Sequence, residues 1–509
     1  MLIPDSVEGE SPPAAAALEG GSALAARVWG AVAFGVAAAV GAGVAWGFSV
    51  DDALISGRVA HQLATGAGYR FNARGAVVDA VTPLGWAHLL APFARDGAWS
   101  AITRASIGGA LCWVLAAAWL GARCAERCRG WRLAVLALTL ATCLPLGAWA
   151  VAGMETAFVM ALGVAALAPS RWGAVCAGLA AAWRPELVPW ALALAFGQAV
   201  ARRASSGERA LALALALGPA VAVAITRQAL FGHPAPLAAF AKPSDAEHGL
   251  RYALGAALLS GPPYLLFAAR PWRALPRAQR AVAVALGVHL VVLAGVGGDW
   301  MPFWRLAMPV FPGVLAVGAD LLAATGRRVA ALRLLPVVAC AALLHTAQGA
   351  AARAVRGERA RLIAALPPLV AGARRVATLD VGWVGAASDE GDEGDAAIVD
   401  LAGVTDPEVA RLPGGHTSKR LPADFLERHR VDALVLLAEG ASTPEAGETR
   451  GGGESPGAGE SPGGAIRCAR QVEARALTLQ GAESFRAVGR IPLGARQEYV
   501  VLRREVMSE

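Results

Sequence analysis

Residues 28–50, VWGAVAFGVAAAVGAGVAWGFSV, run from Arg27 to Asp51 without a charge. At about 1.5 Å per residue, a helix of this length crosses the roughly 30 Å hydrocarbon core of a bilayer, where it can pair all of its backbone polar groups internally. Similar uncharged runs lie between Arg104 and Arg123, Arg132 and Glu155, Arg251 and Arg270, Arg280 and Asp299, and Arg333 and Arg353. Shorter ones follow Glu155, Arg171, Glu186, Arg209 and Arg305. They reach a span's length only if tilted, kinked or carrying a charge near one end, and together the runs predict about eleven spans. The expected fold is therefore mainly α, with a polytopic membrane core over residues 23–350. An acidic, Pro/Ala-rich N-terminal tail, residues 1–22, is expected to be disordered and lacks the basic start of a cleaved signal peptide.

Composition agrees with this reading. Of 509 residues, 56% are hydrophobic and 17% charged, a balance foreign to ordinary soluble enzymes. The net charge of +7 sits mostly in short loops between the apolar runs, without the aromatic-interleaved basic stripe of a nucleic-acid binder. The cysteines imply no disulfide framework, and the pair Cys124/Cys128 lacks the further ligands a metal would need. No metal site is expected, and no cofactor can be named.

Four arginine clusters lie between runs, around 123–132, 202–209, 270–280 and 327–333. Placing them in the cytoplasm puts residues 49–104 outside as a first external loop, together with 152–156, 184–186, 227–250, 297–304 and everything after about 350. That topology requires residues 83–94 to lie along the surface and the helix around Trp183-Arg184-Pro185-Glu186 to break in two. The chain is then a multi-pass protein of a bacterial plasma membrane with its C-terminal region, 351–509, outside the cytoplasm. Short β-branched runs at 376–381, 397–401 and 431–437, with helical segments between, make that region a small α/β domain. A Gly/Ser/Pro/Glu tract at 439–465 reads as a disordered insertion, and the acidic run 389–395 as a solvated loop.

The external segments place ionisable groups at the ends of apolar helices: Asp51 and Asp52, Arg58, Glu155, Arg184 and Glu186, Lys242, Asp299 and Arg305. Any one of them alone is as well explained by helix capping or snorkelling. Their convergence on one face points to a cavity, with a carboxylate of the Asp51/Asp52 pair as general base and the cations as phosphate ligands. Asp51, nearer the span, is the first choice for the base, with Asp52 capping the surface helix.

DDALISGRVAHQLATGAGYRFN (51–72), Thr82-Pro83, Trp86, GMETA (153–157), WRPE (183–186), AFAK (239–242), GGDWMPFWRLAMPVFP (297–312) and VDLAGVTDPEVARLPGGH (399–416) together resemble the GT-C superfamily of membrane glycosyltransferases. The nearest subgroup is that of the mycobacterial terminal β-(1→2) arabinofuranosyltransferase. The resemblance implies a multispanning core, a catalytic cavity on the non-cytoplasmic face, a polyprenyl-phosphate-linked sugar donor, an envelope glycan, lipid or protein acceptor, and an aspartate of the first external loop as base. Arg58-Val59 and Pro236-Leu237-Ala238 depart from the subgroup's usual Arg-Tyr and Pro-Asn-Thr. The chief alternative is a transporter or flippase for a lipid-linked or anionic substrate, and a third is a non-catalytic envelope scaffold.

Overall fold

The computed structural model describes residues 13–267, 275–388, 396–440, 466–494 and 496–505, and it is mainly helical with one small sheet near the C-terminus. Among the described residues, six helices are long and apolar enough to cross a membrane: Ala23–Val44, Ala98–Ala125, Ser206–Phe231, Arg277–Val296, Arg305–Ala323 and Arg327–Val370. A seventh crossing exists if Trp131–Thr142 and Leu144–Val151, bent by 56° at Cys143, count as one broken span. The expected eleven are not reached. The missing crossings correspond to short helices such as Thr156–Ala166, Arg171–Trp183, Val188–Ala201 and Ala246–Leu259, each well under the roughly 20 residues a span needs. Glu155 and the Arg184-Pro185-Glu186 sequence interrupt the apolar pattern there, and the chain breaks at both points, as the split at Pro185 required.

We label the elements that carry the site α1 (Pro13–Val44), α2 (Asp51–Ala64), α3 (Ala98–Ala125) and α4 (Ser206–Phe231). Helix α1 starts ten residues inside the expected tail, so only residues 1–12 of that tail lie outside the described residues. Helices α1 and α3 pack backbone to backbone. A Cβ on Gly30 would fall 2.3 Å from the Gly121 carbonyl oxygen, and one on Gly121 2.2 Å from that of Gly30, the close approach that small residues permit between membrane helices. Because α3 spans 28 residues, about 42 Å, it defines two ends of the bundle. At one end Arg27 pairs with Glu126 at 2.8 Å and Arg127 with Asp320 at 3.4 Å. At the other lie α2, Gly153 and the candidate site.

The helix Arg327–Val370 runs straight across the domain boundary expected at 350, through a π-helical turn at His345–Gly349. It leads into a five-stranded sheet in the order β2-β1-β3-β5-β4. Strands β1 (Arg375–Thr378), β2 (Ala397–Asp400) and β3 (Ala433–Glu439) pair in parallel and match the three β-branched runs. The antiparallel hairpin β4 (Phe485–Leu493) and β5 (Gln497–Arg504) was not foreseen. Strand β3 reaches Glu439, so the expected insertion contributes described residues only to Gly440; positions 441–465 and the acidic run 389–395 lie outside them. Helix α5 (Val381–Ser388), between β1 and β2, packs on α2 and joins the domain to the membrane core.

Candidate active site

Helix α2 begins where α1 leaves the bundle, and its first two residues point different ways. Asp51 turns to the C-terminal domain, where its two oxygens accept the backbone N–H groups of Trp383 at 2.8 Å and Gly382 at 3.1 Å, at the start of α5. Asp52 faces a cavity of about 640 Å³. Its Oδ2 lies 3.0 Å from Arg305 Nη1 and 3.7 Å from Lys242 Nζ. The preference for Asp51 as the cavity carboxylate is thus reversed: Asp51 anchors, and Asp52 is presented.

Arg305 is the hub of the site. Its Nε donates to Asp299 at 2.7 Å, its Nη1 also approaches Met154 Sδ at 3.5 Å, and its guanidinium lies 5.7 Å from the Trp149 ring centre. The chain delivers it through two bulky residues in left-handed backbone, Phe303 (φ 59°) and Trp304 (φ 48°). Such strain persists only where surroundings over-determine it. Here Trp149 Nε1 donates to the Phe303 carbonyl at 3.0 Å, and the Leu306 N–H donates to Tyr252 Oη at 2.9 Å.

A second ion group stands beside the first. Arg184, buried, lies between Glu155 (3.3 Å) and Glu186 (3.1 Å). Arg184 and Glu186 line the cavity, whereas Glu155 supports Arg184 from behind it. Lys242 and Asp299 line it as well, with Thr82-Pro83, Pro236 and Val404. Of the nine residues singled out from sequence, six therefore line one cavity: Asp52, Arg184, Glu186, Lys242, Asp299 and Arg305.

Arg58 does not join them. It is fully buried and donates to the carbonyls of Phe71 (2.9 Å) and Gly385 and to Ser388 Oγ (3.0 Å), so it fastens α2 to the first external loop and to α5. The expected phosphate role is corrected for a geometric reason: six positions along α2, the side chain emerges on the face turned away from Asp52.

Electrostatics separate the carboxylates further. Burial would raise Asp52, but Lys242 and Arg305 outweigh it and hold the carboxyl well below its usual range. Asp299 is likewise lowered, its burial offset by Arg305 and then Lys242. Asp51 is raised, by burial and by the neighbouring Asp380 carboxylate. Asp380 is lowered, since its burial is outweighed by Arg470, which grips it through two nitrogens at 2.8 and 3.0 Å; Tyr499 Oη also donates to it.

Two further contributors escaped the reading of the sequence. Arg227 of α4 pairs with Asp79 at 2.9 Å in full burial and donates to the Thr82 carbonyl, which fixes the Thr82-Pro83 wall. A long side chain near the end of an apolar helix reads as snorkelling, so only its distant partner reveals the role. His416, in the loop after β2, feels Lys242 and Asp52 on one side and Arg470 and Asp380 on the other; burial and Lys242 push it down to about 3. In the sequence it stands only as the last residue of the segment 399–416. Asp400 shapes the start of that loop by accepting the N–H groups of Ala402, Gly403 and Thr405 at 2.7, 2.9 and 2.6 Å.

Fold and site together define a chain with the helices of a multi-pass membrane protein and a charged cavity at one end of its bundle. No family model, no curated protein and no solved structure matches it.

Proposed function

We propose that this protein is a membrane glycosyltransferase of the GT-C type, resembling the arabinofuranosyltransferase subgroup, that moves a sugar from a polyprenyl-phosphate donor to a hydroxyl of an envelope glycan, lipid or protein. The observation that carries the reading is one carboxylate, Asp52, placed against two cations, Lys242 and Arg305, at the wall of a cavity large enough for a small sugar phosphate. In the reaction the acceptor oxygen attacks the anomeric carbon, the bond from that carbon to the phosphate oxygen breaks, and the polyprenyl phosphate leaves with the electron pair. Asp52 takes the acceptor's proton. Lys242 and Arg305 hold the growing negative charge of the leaving group, with Arg184 behind them.

At rest Asp52 is a weak base because both cations face it. A donor phosphate competes for those cations, and as they turn to it Asp52 gains basicity when a substrate is present. Asp299 keeps Arg305 in place during the exchange, since it binds a different nitrogen. The arginine-rich loops belong in the cytoplasm and the cavity end outside, in a bacterial plasma membrane.

The test is transfer of labelled sugar from a panel of polyprenyl-phosphate sugars by proteoliposomes carrying wild-type protein or Asp52→Asn. Transfer by the wild type and its loss by roughly 10²-fold or more in the variant support the assignment. Equal transfer by both discards Asp52 as base. Movement of labelled lipid across the bilayer, with no sugar transferred from any donor, replaces the enzyme with a flippase.

A further inference from the structure

A second cavity, of about 930 Å³, lies on the far side of α2 from Asp52, between the first external loop and the exposed edge of the sheet. Strand β2 forms that edge. Its outward backbone is met by Asn72, whose amide nitrogen donates to the Ile398 carbonyl and whose oxygen accepts the Ile398 N–H, both at 2.9 Å. The cavity is therefore a seam closed by specific hydrogen bonds at one point and open around it.

Its lining is basic. Arg74 enters from the external loop, Arg374 from the approach to β1 and Arg375 from its first position; all three are exposed, and none forms an ion pair with a described carboxylate. The N–H groups of Arg374 and Arg375 both donate to Asp432 Oδ2, at 2.9 and 3.0 Å, and Arg375 Nη1 donates to the His429 carbonyl at 3.1 Å. Asp406, the one acid in the lining, is turned to the N–H groups of Glu408 and Val409. Four arginines, Arg58 among them, thus share the lining with one described acid, and such an excess of positive charge is the arrangement that attracts a polyanion.

Small residues, Gly75 and Gly372 among them, supply much of the remaining wall, and its largest apolar side chains, Ile398 and Val399, are themselves buried. The wall therefore offers no large exposed apolar side chain to grip an acyl or prenyl tail, and its arginines favour a hydrated, charged chain over a lipid. We infer that this seam binds an acidic glycan strand, one bearing carboxylates or phosphates, through Arg74, Arg374 and Arg375. The inference stands on its own cavity and does not depend on the transfer reaction.

Full-length protein in zwitterionic nanodiscs is titrated with a short fluorescent oligogalacturonate, with a neutral maltodextrin of equal length as control. The acidic probe binds, the neutral one does not, and binding weakens as salt is raised past ~0.15 M. Arg74→Gln/Arg374→Gln, which leaves Arg375 and its bond to the His429 carbonyl intact, binds roughly tenfold more weakly or worse. A second variant, Arg74→Glu/Arg374→Glu, abolishes binding while unfolding at the wild-type temperature. Asp52→Asn binds as the wild type does, which separates this site from the proposed active site. Unchanged affinity in both double variants overturns the inference. So does equal binding of maltodextrin, or binding of phosphatidylglycerol vesicles with none of the acidic glycan.

Discussion

Conversion of each neighbouring aspartate to asparagine should have opposite consequences, and the structure sets the scale of both. At position 51 an amide oxygen can accept only one of the two N–H groups that the carboxylate now holds at 2.8 and 3.1 Å. The other, Gly382 or Trp383, is left facing the amide NH2, and an orphaned buried donor costs about 1–3 kcal/mol. Removing the repulsion between Asp51 and Asp380 works the other way, so the net loss falls in the lower part of that range. A loss of about 1–2 kcal/mol opens the start of α5 roughly 5- to 30-fold more often. At position 52 the amide keeps an acceptor for Arg305 at 3.0 Å, Arg305 retains Asp299 at 2.7 Å, and the carboxylate is 21% exposed. The stability change should therefore stay within about 1 kcal/mol, while transfer falls by roughly 10²-fold or more. Hydrogen exchange of the peptide covering residues 381–388, measured beside sugar transfer, reads both effects. Transfer lost in Asp51→Asn with unchanged exchange, together with normal transfer in Asp52→Asn, would refute the assignment of anchor and base.

Three other substitutions probe the same network. Glu155→Gln leaves buried Arg184 with Glu186 as its remaining carboxylate and should destabilise by about 1–3 kcal/mol, seen as a lower unfolding temperature in detergent that Glu155→Gln/Arg184→Met partly restores. Arg305→Lys cannot reach Asp299 and Asp52 with separate nitrogens, so the KM for donor should rise about tenfold with folding intact. His416 has a folded value of about 3 against an ordinary 6.5. Between those values the unfolded loop takes up a proton that the folded one refuses, so its stability is full above pH ~7 and declines as pH falls. Limited proteolysis around residues 411–420 should accelerate from pH 7.5 to 5, and His416→Gln should remove most of that dependence.

The convergence of charged residues on one cavity was more legible in the sequence than the number of spans. Charged residues at the ends of apolar runs are costly unless they share a purpose, and for that reason Asp52, Arg184, Lys242, Asp299 and Arg305 could be picked out before any of them was seen together. Span count was harder to read, because a run such as 156–170 is apolar enough for a crossing while its helix stops after 11 residues. Hydropathy reports burial, and a short helix packed inside a bundle is as buried as one that spans. The hairpin β4–β5 lacks the alternation that marks a strand pair: β4 is irregular around the shift between Ala487 and Gly489, and β5 is buried without a break from Glu498 to Leu502. Arg58 was misassigned because helical spacing gives a face but not what packs on it; the residues that claim its nitrogens lie 327 and 330 positions away in sequence.

The double aspartate is best understood as one device with two ends. Successive residues of a helix point about 100° apart, so adjacent carboxylates at the start of α2 cannot serve the same space. One is gripped by the N-terminus of α5, and its fixation sets the rotation of α2; Arg58 fixes that rotation again from the same domain. The other is then held toward Lys242 and Arg305, with no hydrogen bond of its own to the described residues of the C-terminal domain. The domain after Val370 is on this account a structural part of the cavity. It determines where Asp52 points, and through Val404 it also supplies a piece of the wall.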